Sequence, residues 1–70
     1  MDAADPGLEA LKAQQKKLSA RAIETKMQLH DLSEELPINW EQIPDVARRA
    51  YEAFEQLAAL KARIAAAGNA

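Results

Sequence analysis

Leu36-Pro37 limits the fold of this chain more than any other pair of residues. Proline has no N–H and its ring clashes with the preceding turn, so it ends a helix rather than continuing one. It also drives the residue before it out of the α region. On each side of this stop, apolar residues recur with 3,4 spacing, the period of an amphipathic helix. Upstream the stripe is Leu8, Leu11, Gln15, Leu18, Ala22, Thr25, Leu29, Leu32 and Leu36, about four heptads with two polar intrusions. Downstream it is Ile43, Val46, Ala50, Ala53, Leu57, Leu60, Ile64 and Ala67. Two long helices joined by a loop of about three or four residues must run antiparallel. The expectation is an all-α, single-domain helical hairpin over residues 1–70: helix one over about 6–36, a turn at 37–39, helix two over about 40–67.

The termini of these helices carry their own signals. Asp5-Pro6 reads as an N-cap followed by proline at N1, and residues 1–4 are expected to fray. Asn39 suits an N-cap, Gln42 sits where a capping box wants Glu or Gln, and Ile38 and Ile43 have the spacing of a hydrophobic staple. Pro44 conflicts with this start; the alternative is a separate short turn, with the regular helix beginning at Pro44. Gly68-Asn69 is the expected C-terminal stop. Helix one at ~1.5 Å per residue makes a rod of about 45 Å.

Folding one stripe on the other about Pro37 predicts the layers. They are Leu32 with Ile43, Leu29 with Val46, Thr25 with Ala50, Ala22 with Ala53, Leu18 with Leu57, Gln15 with Leu60, Leu11 with Ile64, and Leu8 with Ala67. The middle layers are small, so either the helices cross closely there or a second hairpin inserts bulky groups. Ile23, Met27, Tyr51 and Phe54 lie off the seam. Leaving such groups in water forgoes about 1.5–3 kcal/mol each. A chain of 70 residues buries only about 60% of its unfolded surface, and with no cysteine it has no disulfide or thiolate metal site to staple it. A homodimer forming a rod-like four-helix bundle is therefore expected, with these four residues at its interface.

Composition narrows function mainly by exclusion. Apolar residues make up 49% of the chain, much of it alanine, which suits helix. The net charge of −2, with both signs along the chain, argues against nucleic acid or an anionic membrane as the main partner. No stretch reads as a signal peptide or membrane span, so the cytoplasm is the expected compartment. No nucleophile with a base partner can be named, so no enzyme and no cofactor are expected. His30 and Glu34, four apart, share a helix face and are the candidate metal ligands, but Met27 occupies the Glu position of a di-metal Glu-x-x-His signature. Lys12, Lys16, Lys17 and Arg21 form a basic patch on helix one, the basis of an RNA-binding alternative. Arg48, Arg49, Lys61 and Arg63 read as partners for Glu52 and Glu55, or as rim residues. Trp40 reads either as a lid over the core end, packed near Leu36, or as a protein-binding anchor.

The string from Lys26 to Pro37, KMQLHDLSEELP, is followed by Asn39-Trp40, Ile43, Val46-Ala47 and Ala50-Tyr51-Glu52-Ala53-Phe54. Over roughly residues 18–60 this resembles the Rop-like family of small helical proteins encoded in bacterial nitrogen-fixation gene clusters. Pro44 departs from the pattern. The resemblance implies a hairpin that dimerises into a rod and an accessory role around nitrogenase, in assembly or support. It carries over no catalytic residues. Its name refers to a plasmid RNA-binding bundle, which is likeness of fold alone. The expectation is a non-enzymatic dimeric adaptor or chaperone contacting a nitrogenase-related protein. Trp40, His30, Glu34, Glu35 and Ile38 at the turn end are its expected partner-binding residues. A metal carrier using His30 is the other alternative.

Overall fold

The computed structural model describes residues 6–68. Helix α1 spans Pro6–Glu35 and helix α2 spans Ile43–Gly68. Between them lie residues 36–39 and one 3-10 turn, Trp40–Gln42. No strand occurs among the described residues. The fraying expected of residues 1–4, the capping role of Asp5 and the Asn69 part of the C-terminal stop lie outside them.

The helices fold back on each other into a rod of 56 × 15 × 13 Å. Ala22, Ala53 and Leu57 form the buried cluster, with Leu18 packed against it. Toward the turn, Leu32 and Val46 share one groove wall; toward the open end, Leu18 and Leu60 do. Residue numbers thus rise along α1 as they fall along α2, so the helices are antiparallel, and the Ala22–Ala53 layer is found as predicted, while Leu32 and Leu18 share grooves with Val46 and Leu60, one seam position along α2 from their predicted partners. Thr25, a polar intrusion in the seam, is buried. Its hydroxyl donates to the Ala22 carbonyl at 2.8 Å, so no buried polar group is orphaned there. The seam is buried at Leu32, Thr25, Ala22, Ala50, Ala53, Leu57 and Leu60, half-buried at Leu8, Leu11, Gln15 and Ile64, and exposed at Ile43 and Ala67 and, between buried neighbours, at Leu29. The outer layers therefore cover less than full seam positions would.

The turn departs from the sequence reading. Asn39 is not an N-cap: it sits in the left-handed region at φ 64° and makes no side-chain capping bond. Its Nδ2 instead donates back to Glu35 Oε1 at 3.2 Å. The Leu36-Pro37 peptide is cis. The Ile38 N–H donates to the Glu35 carbonyl at 3.0 Å, and the Gln42 N–H to the Asn39 carbonyl at 3.0 Å. The regular helix begins at Ile43 with Pro44 in its first turn, where a missing N–H costs no helical bond. The alternative start near Pro44 is the correct one. Ile38 is 67% exposed and Ile43 is exposed too, so the expected staple does not bury them.

Candidate interaction surfaces

Spacing along α2 builds the most developed surface feature. Ala47, Tyr51 and Phe54 recur at i, i+4, i+7, a second stripe beside the seam stripe. With Leu29, Lys26, Ala50 and Glu55 they line a shallow, almost wholly apolar groove of about 540 Å³ between the helices. Tyr51 is 67% and Phe54 44% exposed. Ile23 is also exposed and lies one turn from Lys26 on the same side of α1. Met27 is exposed but turned about 100° past Lys26, toward the outer surface of α1. Of the four expected interface residues, the groove contains Tyr51 and Phe54, is flanked by Ile23, and leaves Met27 at its margin. Leu29, Ala47 and the rim pair Lys26 and Glu55 were missed. Spacing places Leu29 in the seam alone, whereas the i, i+4, i+7 stripe of Ala47, Tyr51 and Phe54 is visible in the sequence.

The opposite face of the hairpin is polar. There Arg21, Glu24 and Gln28 of α1 face Arg49, Glu52 and Gln56 of α2 across a second groove. Arg48 and Arg49 do not pair with Glu52 and Glu55. Both reach back to Asp45, at 2.9 Å each. Asp45 stands in the first turn of α2, where a carboxylate also meets the positive end of the helix dipole. Lys12, Lys16 and Lys17 are exposed on α1.

At the turn end the expected partner-binding residues are all on the surface. Trp40 is 61% exposed and is not a lid over the core. Together with Ile38 it gives the tip an apolar knob. His30 Nε2 lies 3.3 Å from Glu34 Oε2, as their spacing requires, with both side chains exposed. Glu35 is engaged by Asn39, while Asp31, Glu34 and Glu41 stand exposed around the tip. His30 and Glu34 form a pair and not a cage: no group of three or more His, Asp or Glu side chains converges among the described residues. Among the same residues no helix is long and apolar enough to cross a membrane.

Fold and surface together define a class: an antiparallel two-helix hairpin whose small mid-rod core leaves an apolar groove uncovered. The chain belongs to the Rop-like family, whose match runs over residues 7–69. It is 54% identical over 50 residues to a UPF0437 protein of Azorhizobium caulinodans, covering 71% of this chain and 72% of the relative. It is 50% identical over 56 residues to a Frankia alni protein described as "UPF0437 protein in nifX-nifW intergenic region", covering 77% and 68%. It is 37% identical over 70 residues to a UPF0437 protein of a Nostoc strain, covering 100% and 99%. No solved structure matches the chain.

Proposed function

We propose that this protein is a non-enzymatic accessory factor of nitrogen fixation, a small homodimeric adaptor or chaperone serving nitrogenase assembly or support in the cytoplasm. The Frankia relative's position between nifX and nifW carries the nitrogen-fixation reading. The physical support for an interaction role is the uncovered groove with Tyr51 and Phe54 at mid-rod. An apolar face of this kind is costly in water and marks a contact surface. In this reading the groove is covered by a second copy, which completes a four-helix core. The turn end then remains free to contact a nitrogenase-related protein through Trp40, Ile38, Glu34, Glu35 and His30. Tryptophan is a favoured hot-spot residue, and the acidic groups beside it oppose the dipole at the end of α1, a local cost of about 0.3–1 kcal/mol that points to another use.

The test is genetic. In a nitrogen-fixing host whose own copy is deleted, growth on dinitrogen slows while growth on ammonium does not. This chain restores growth on dinitrogen and its Trp40→Ala variant, still folded, does not. Growth on dinitrogen that is indifferent to the deletion overturns the proposal.

A further inference from the structure

The stretch from Met27 to Ala47 holds Asp31, Glu34, Glu35, Glu41 and Asp45 and no lysine or arginine. Arg48 and Arg49 follow it, but both guanidinium groups are held by Asp45. No lysine or arginine pairs with the other four carboxylates among the described residues; His30 reaches Glu34, and the amide of Asn39 reaches Glu35. Helix α1 ends here with no basic side chain in its last turn, so the negative end of its dipole lacks a cation as well. These charges surround apolar surface. Ile38 and Trp40 project from the turn, both well exposed. On the polar side of the hairpin, Leu32 and Val46 line a shallow cleft of about 290 Å³, with Asp31 and Glu35 on its α1 side and Gln42 and Arg49 opposite. Gln28 and Arg49 line both this cleft and the polar groove. The cleft therefore lies away from the Tyr51 and Phe54 groove and stays open when that groove is covered.

Exposed apolar surface gains by being covered, and the carboxylates around it restrict what can cover it. An acidic or uncharged occupant would strip water from them without supplying a counter-charge. Nucleic acid and anionic lipid are repelled by the same potential. A bare metal ion finds no cage, since no three His, Asp or Glu side chains converge among the described residues. A lysine or arginine side chain fits: its aliphatic stem can lie on Leu32 and Val46 while its charged head meets Asp31 and Glu35. An apolar neighbour in the same segment then covers Ile38 and Trp40. We propose that the turn end is a docking surface for a basic segment of another protein, one in which lysine or arginine is interleaved with apolar side chains. This rests on the reading of the turn end as the partner-binding surface, and it supplies that partner's chemistry. Opposite potentials across such a contact set partner choice and speed of encounter.

The probe is a library of random short peptides displayed on phage, selected at low salt on the folded chain with an Asp31→Asn/Glu35→Gln variant as counter-target. Glutamine at position 35 still offers Asn39 an oxygen acceptor, so the turn is retained. Enriched peptides are expected to combine Lys or Arg with Leu, Ile, Phe or Trp. A synthetic peptide of the enriched sequence is expected to bind the parent about tenfold or more tighter than the double variant, the worth of one charge-assisted contact. Trp40→Ala weakens the same peptide independently. Raising salt from about 0.01 M to about 0.15 M, which shortens the Debye length from about 30 Å to about 8 Å, weakens it too. Enriched peptides that are acidic or uncharged, peptides that bind parent and double variant equally, or no enrichment over the counter-target each overturn the proposal. The growth test fails separately. Growth on dinitrogen that is indifferent to the deletion removes the nitrogen-fixation reading and leaves a basic-peptide site standing. Loss of growth with Trp40→Ala, without basic preference among the peptides, keeps that reading and overturns this one.

Discussion

Asn39 shows how one residue can satisfy two local rules and be read by the wrong one. Asparagine is favoured both as an N-cap and in the left-handed conformation. Its neighbours Gln42 and Ile43 completed the capping pattern, so spacing favoured the cap. The structure uses the other property: at φ 64° Asn39 turns the chain out of α1, anchored to Glu35. Asn39→Ala is expected to destabilise the hairpin by about 1 kcal/mol, since an ordinary side chain pays that much in the left-handed region. Asn39→Gly stays close to the parent. Equal melting of the two variants in urea would show that this backbone conformation is not held in solution. Ala53 makes the opposite case, because its role was legible. It is nearly fully buried against Ala22, so Ala53→Leu overpacks the middle layer and costs about 1–3 kcal/mol. An unchanged melting temperature would mean that the register is wrong.

At the level of elements, α2 and the seam were readable and the start of α2 was not. Every seam position of α2 is apolar, so period alone placed it. The first turn was ambiguous because Pro44 and Asn39 each mark a helix start, five residues apart. The chain resolves this by spending Trp40–Gln42 on a 3-10 turn and placing Pro44 where no bond is lost. Asp45 then acts twice, against the helix dipole and as the acceptor for Arg48 and Arg49. Glu52 lies four residues after Arg48 and Asp45 four before Arg49, so spacing alone leaves the partner open; the positive N-terminus of α2 favours a carboxylate at Asp45. Asp45→Ala is expected to cost about 0.5–1 kcal/mol at low salt, a modest figure because the groups are exposed and screened. Denaturant melts at low and high salt check this: the difference from the parent shrinks as salt rises.

For the whole molecule, what the sequence hid was long-range. Basic residues near the two ends of the chain look like separate patches until the hairpin lays them side by side, and the acidic turn then becomes one pole of a rod. The groove was half legible for the same reason. Tyr51 and Phe54 announce themselves as off-seam apolar residues, but which α1 residues share their face depends on how the helices roll against each other. That is why Leu29 and Lys26 enter the groove and Met27 does not. The central claim is that this groove is covered by a second copy, and sedimentation equilibrium over a dilution series tests it most directly, run on the parent chain and on a Tyr51→Asp/Phe54→Asp variant. The parent is expected to be a dimer at micromolar concentration that dissociates and loses helix on dilution, and the variant to be monomeric at the same concentration. A parent chain that stays monomeric and fully helical from micromolar to nanomolar concentration would contradict it.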